Sequence, residues 1–336
     1  MSLIIKPVVL NQMPLKEIVY QSPYQKIKVL SLGATIKSWE VINQENRFEN
    51  IVLSYQNDEN YLNNTKFLGA TIGPNAGRLH PARLNLKGQT YLLSKNFKDH
   101  ANLHSGIDNF VHRPFSVQKE GENTIIMTLT NPGEMKEFPS LSKVEVKMVF
   151  EPKALSIYYT VQSDTYSIAN LTNHTYFNLS GNLKTDILNH TLKLPATSHL
   201  ELDEYFIPKK RIKSKHTPFD FTQFKPLKDA VLPLKDSPQK GLDHPFLLDE
   251  GCVILKDDES KRRLKITTDY DSVVIYTNNF TEDIYYQGSK KDQPHLGVAL
   301  EMQHRPNDIN ILKRPKSFLK PNQTKQNFIK YELDFE

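Results

Sequence analysis

The 336-residue chain has one cysteine, Cys252, and one tryptophan. A single cysteine excludes an internal disulfide and any cysteine-clustered zinc or iron–sulfur centre. No stretch approaches the ~20 apolar residues of a membrane span. The opening Met1-Ser-Leu-Ile-Ile-Lys-Pro stops after three apolar residues, short of the core of a signal peptide, so a cytoplasmic location and no membrane partner are expected. There is no glycine-rich phosphate loop, dinucleotide fingerprint or metal-ligand spacing, so no cofactor and no metal are expected. His100 and His104 are four apart but lack a helical pattern and a nearby carboxylate. Charge of one sign is also scarce: 43 Lys+Arg against 38 Asp+Glu leave +5. The short basic clusters Lys209-Lys210-Arg211, Lys261-Arg262-Arg263 and Lys290-Lys291 read as solvated faces, which argues against a nucleic-acid partner. The sequence leaves a homodimer open.

Period-two alternation, by contrast, is abundant. In Leu155-Ser-Ile-Tyr-Tyr-Thr-Val161 most branched and aromatic residues fall on one face, the pattern of a half-buried strand. Ile27–Leu30, Ile125–Leu129, Val144–Phe150 and Val273–Tyr276 read likewise, and Asn, Gly, Pro and Asp punctuate the gaps. The 17 Phe and 15 Tyr suit pleated surfaces. Long runs of helical spacing are hard to find, and neither a linker nor a repeat divides the chain. The expectation is a mostly β fold with few short helices: one domain over 1–336, a large antiparallel β-sandwich of two sheets packed face to face.

Five segments place chemistry among β-formers. They are Gly69-Ala-Thr-Ile-Gly-Pro-Asn-Ala-Gly-Arg78, Asn102-Leu-His104-Ser-Gly106, Asn173-His174-Thr-Tyr-Phe, Gly241-Leu-Asp243-His244-Pro, and Val298-Ala-Leu-Glu301-Met-Gln-His304. Each alone is weak, since a lone histidine in a β-rich chain is more often a hydrogen-bonded structural residue than a catalyst. Glu301 says more, because a strand bound for the core rarely ends on an unpaired charge. Asn173-His-Thr and Asn178-Leu-Ser match the glycosylation sequon, which carries no weight without a secretory signal.

Taken in order, the five segments resemble the aldose 1-epimerase (galactose mutarotase) family, from about Gly33 to Leu319-Lys-Pro321. The supporting segments Asp203–Pro208, Thr217–Phe221 and Tyr276–Phe280 match as well. The resemblance implies a large antiparallel sandwich with a sugar cleft and interconversion of the α and β anomers of a free hexose such as galactose or glucose. It implies Glu301 as the base on the C1 hydroxyl and His174 as the acid on the ring oxygen. Arg78, His104 and Asp243 would orient the sugar, with Phe280 as an apolar floor. A carboxylate beside an imidazolium favours the charged form of both, the starting state such chemistry requires. Where many members have asparagine before the arginine, this chain has Gly77, leaving Asn75 as the candidate for that contact. Ser105 and Phe115 replace a common glycine and tryptophan. His244 and His304 read as structural residues or as supports standing behind the residues that touch the sugar. The alternatives are a relative acting on hexose 6-phosphates, a glycoside hydrolase using Asp243 and Glu301, and a non-catalytic sugar-binding protein.

Overall fold

In the computed structural model, which describes residues 1–129 and 135–335, 48% of residues are in strands and 7% in helices. The alternating segments lie inside strands. Lys143–Glu151 alternates half-buried and buried side chains along its length, and pairs antiparallel with Ala154–Ser163. These two belong to a nine-stranded antiparallel sheet, in which Ala154–Ser163 is flanked on its other side by the long strand Gln323–Phe335. A six-stranded antiparallel sheet has the spatial order Tyr176–Phe177, Val298–Gln303, Ser272–Tyr276, Asp243–Leu247, Ser198–Leu202, Pro208–Lys213.

The N-terminal residues add a third sheet that the sequence does not separate from the other two. It is a five-stranded meander from Ser2–Leu10 to Phe48–Asn50. The three sheets meet at Trp39 of the meander, whose ring meets edge-on both Phe177 of the six-stranded sheet (6.1 Å) and Tyr331 of the nine-stranded one (5.8 Å). The Trp39 indole N–H donates to Gln25 Oε1 at 2.7 Å, which satisfies the polar atom of a fully buried ring. No helix among the described residues is long and apolar enough to cross a membrane.

The six-stranded sheet positions the site. Because successive side chains leave opposite faces of a strand, Val298, Leu300 and Met302 join the main core while Glu301 and Gln303 leave the other face. The same rule sends Val273 and Ile275 inward and turns Val274 and Tyr276 outward, Val274 lying opposite Glu301 in the pairing. All six residues of Val298–Gln303 are buried, since one face has the core and the other the walls of a pocket.

Candidate active site

That pocket has a volume of about 190 Å³, and Arg78, His104, His174, Asp243, Phe280 and Glu301 all line it. Residues spread over more than two hundred positions thus converge. Glu301, Val274, Tyr276 and Asp243 come from three adjacent strands. Arg78 and His104 come from two loops joined by a short antiparallel pair, Arg78–Leu79 with Asn102–Leu103. His174 follows the pair Thr172–Asn173 with Thr71–Ile72, and its backbone is fixed on both sides: its N–H donates to Ala70 and its carbonyl accepts from Gly69. Gly69 must be glycine here. It has φ +64°, and a Cβ would sit 2.0 Å from the Ile36 carbonyl oxygen.

Glu301 Oε1 lies 3.5 Å from His174 Nε2. Glu301 Oε2 and His174 Nδ1 are buried without a partner. Burial dominates the electrostatics. It pushes the Glu301 carboxyl up to about 8, the Asp243 charge adding to the rise and the Arg78 guanidinium opposing it. It pulls His174 down to about 4. Burial works against the expectation that proximity keeps both groups charged: desolvation raises the carboxyl and lowers the imidazole, which favours a carboxylic acid facing a neutral imidazole at neutral pH. Together the two hold one proton.

Arg78 and Asp243 form a two-pronged ion pair, Nη2 to Oδ2 at 2.7 Å and Nη1 to Oδ1 at 3.2 Å. Both Asp243 oxygens are thereby engaged. Arg78 is backed by Phe97, with Cζ 4.4 Å from the ring centroid. Phe280, expected as a floor, is 41% exposed and stacks on Phe206 at 6.4 Å, so it forms a wall on the open side. The aromatic contact to the histidines comes from half-buried Phe67, whose ring meets those of His104 (4.9 Å) and His174 (5.7 Å).

Asn75 is a correction. It is buried and does not line the pocket: its N–H donates to Ser105 Oγ at 2.8 Å and its side-chain amide to the Ala76 carbonyl at 3.0 Å. Asn75 fixes the turn that presents Arg78, and Ser105 serves the same turn by donating to the Asn75 carbonyl. His244 takes the Asp243 N–H on Nδ1, and His304 pairs with Asp271 at 2.9 Å. His100 stacks between His80 and Tyr205, away from His104.

His104, His174 and Glu301 bring one potential ligand atom each within 4.8 Å of one another. The surroundings of His104 oppose a metal. The Gly77 N–H donates to His104 Nδ1 at 3.2 Å, so the neutral ring carries its proton on Nε2. A metal on Nε2 would need that proton on Nδ1, against an amide donor. The ring instead has an N–H to donate. Burial above all, with repulsion from His174 whenever that ring is protonated and from the Arg78 guanidinium, holds His104 well below the usual histidine value and in this neutral form.

Sequence reasoning missed Phe67, Lys66, Tyr176, Phe206 and Gln303, which also line the pocket. Gln303 carried a usable signal, two residues beyond Glu301 on the same strand face, and Tyr176 and Phe206 lie inside segments singled out from the sequence.

The aldose 1-epimerase family model matches residues 16–332. Galactose mutarotase of Homo sapiens is 29% identical over 311 residues, covering 90% of this chain and 89% of the human one. Aldose 1-epimerase of Haemophilus influenzae is 31% identical over 292 residues, 85% of each. Among solved structures, galactose 1-epimerase from Lactobacillus acidophilus superposes with a TM-score of 0.83 at 24% identity, over 99% of both chains. An aldose epimerase homologue from C. elegans reaches 0.85 at 20% identity, also over 99% of both.

Proposed function

We propose that this chain, which belongs to the aldose 1-epimerase family, interconverts the α and β anomers of a free hexose such as galactose or glucose by opening and reclosing the ring. The observation that carries the reading is the facing of Glu301 and His174 at 3.5 Å in a pocket also lined by Arg78, His104 and Asp243. Ring opening takes a proton from the C1 hydroxyl and gives one to the ring oxygen. Glu301 accepts the first and His174 supplies the second. The C1–C2 bond then turns, and closure runs the two transfers backwards on the other carbonyl face. Positioned acid and base groups each contribute roughly 10²–10⁴-fold to such a step.

The single proton held by the pair suits this cycle. With the proton on Glu301 and His174 neutral, the pair is in the state that meets the open-chain aldehyde: Glu301 protonates the carbonyl oxygen as His174 takes the C5 hydroxyl proton. A cyclic sugar needs the proton on His174. Hydrogen bonds donated by the sugar to Glu301 favour its charged form and shift the proton that way. The His104 N–H and the Arg78–Asp243 unit orient the hydroxyls around the pair.

Two alternatives fit the pocket less well. A glycoside hydrolase would need Asp243 free to act, and both its oxygens are held by Arg78. A hexose 6-phosphate would need an uncommitted cation. Of the cations that line the pocket itself, Arg78 is paired with Asp243, and Lys66 with Asp292 at 2.6 Å; Lys98 and Lys240 stand outside it, against Phe206 and Phe280. Polarimetry of fresh α-galactose, α-glucose and glucose 6-phosphate tests the reading: faster decay to equilibrium for the free sugars supports it, and acceleration of the phosphate alone contradicts it.

A further inference from the structure

Gln303 is fully buried in the wall of the same pocket, and neither its Oε1 nor its Nε2 has a partner. Among the described residues it is the only side chain with two such atoms. A buried carboxamide left unpaired is costly, so a group that enters the pocket and pairs with it gains accordingly.

The corner beside it is open because residue 77 has no side chain. A Cβ on Gly77 would lie 3.5 Å from Gln303 Oε1 and 3.3 Å from Pro306 Cβ. The Gly77 backbone offers a ligand no donor, since its N–H goes to His104 Nδ1, and its carbonyl already accepts the His104 N–H. Arg78, next along, is held by Asp243. The uncommitted donor of this corner is therefore the Gln303 amide, with its free oxygen beside it. A carboxamide offers one acceptor and two donors without charge, which matches a hydroxyl that both gives and takes a proton.

We propose that Gln303 is a substrate-binding residue whose carboxamide holds one hydroxyl of the sugar in the corner left open by Gly77. The proposal rests on the mutarotase reading above. It assigns to Gln303 the polar contact that the turn residue Asn75 does not make.

A matrix of variants and deoxy sugars tests it. Mutarotation of galactose and of its 2-, 3-, 4- and 6-deoxy analogues is measured for wild type, Gln303→Met and Gln303→Asn, with the spontaneous rate subtracted. On galactose each variant should lose roughly three- to tenfold in kcat/KM, carried mainly by KM. On one deoxy sugar, the one lacking the hydroxyl that Gln303 holds, wild type and variants should be equal. Equal losses on every analogue would show that the amide only supports the pocket, directly or through an internal water, and would overturn the proposal; so would no loss at all. If the Met variant does not fold, the Asn variant, with its amide drawn back by one methylene, carries the same comparison. A wild type inactive on all five sugars would instead overturn the mutarotase reading, and the proposal with it.

Discussion

Glu301 and His174 approach to 3.5 Å inside the protein, where burial favours the neutral form of each over an ion pair. Burial holds the carboxyl up at about 8 and the imidazole down at about 4, so the one proton they share sits on the carboxyl. The spacing makes proton exchange through a sugar feasible, and the burial sets the pH range over which the pair keeps one proton.

The first prediction is a broad pH profile. If the working form holds one proton, kcat/KM should be flat across neutral pH, fall as pH rises past about 8 where Glu301 loses it, and fall below about 4 where His174 gains a second. Steady-state rates from pH 3.5 to 9.5, less the buffer-catalysed rate, give the profile. An acid limb near an ordinary histidine value of about 6.5 would contradict it.

Neighbouring charges should move the alkaline limb in opposite directions. The Asp243 charge raises Glu301, so Asp243→Asn should bring the limb to lower pH; Arg78 lowers it, so Arg78→Gln should carry the limb to higher pH. Both variants should also raise KM, since each breaks the two-pronged pair. Limbs that stay in place would detach Glu301 from the alkaline ionisation.

Stability should show the cost of burying Glu301. Its folded value lies above the usual 4.5, so between about 4.5 and 8 the folded state binds more protons than the unfolded, and stability falls as pH rises through that window. Glu301→Gln removes the titration. Its Tm advantage over wild type should grow from pH 5 to pH 8 in calorimetric scans, and a constant difference would contradict the raised value.

Gly69→Ala tests how the backbone places His174. The positive φ and the 2.0 Å approach of a Cβ to the Ile36 carbonyl leave no relaxed solution, so a loss of roughly 1–3 kcal/mol is expected by denaturant unfolding. Because the Gly69 N–H holds the His174 carbonyl, kcat should fall as well. Wild-type stability with wild-type rate would mean that this loop is not rigid.

Much of this was legible in the chain. The alternation of Val144–Phe150 marked a strand buried on one face, and a glutamate after Val-Ala-Leu marked the point where one strand turns a charge into a cavity. The third sheet was not legible, because alternation identifies strands and not the partners they choose. Asn75 was misplaced since proximity to Arg78 in sequence does not say which way a side chain turns, and here it folds back on Ala76. The protonation of Glu301 and His174 could not be read at all. It depends on how completely Val274, Tyr176 and Phe67 exclude water, and loop residues such as Phe67 carry no periodic signal.

The central claim is that Glu301 transfers a proton, and the mutarotation rate of Glu301→Gln tests it most directly. The variant keeps the shape of the side chain and loses the base. Its kcat for fresh α-galactose should fall by roughly 10²–10⁴-fold with the fold intact by circular dichroism. A folded variant that mutarotates at the wild-type rate would contradict it.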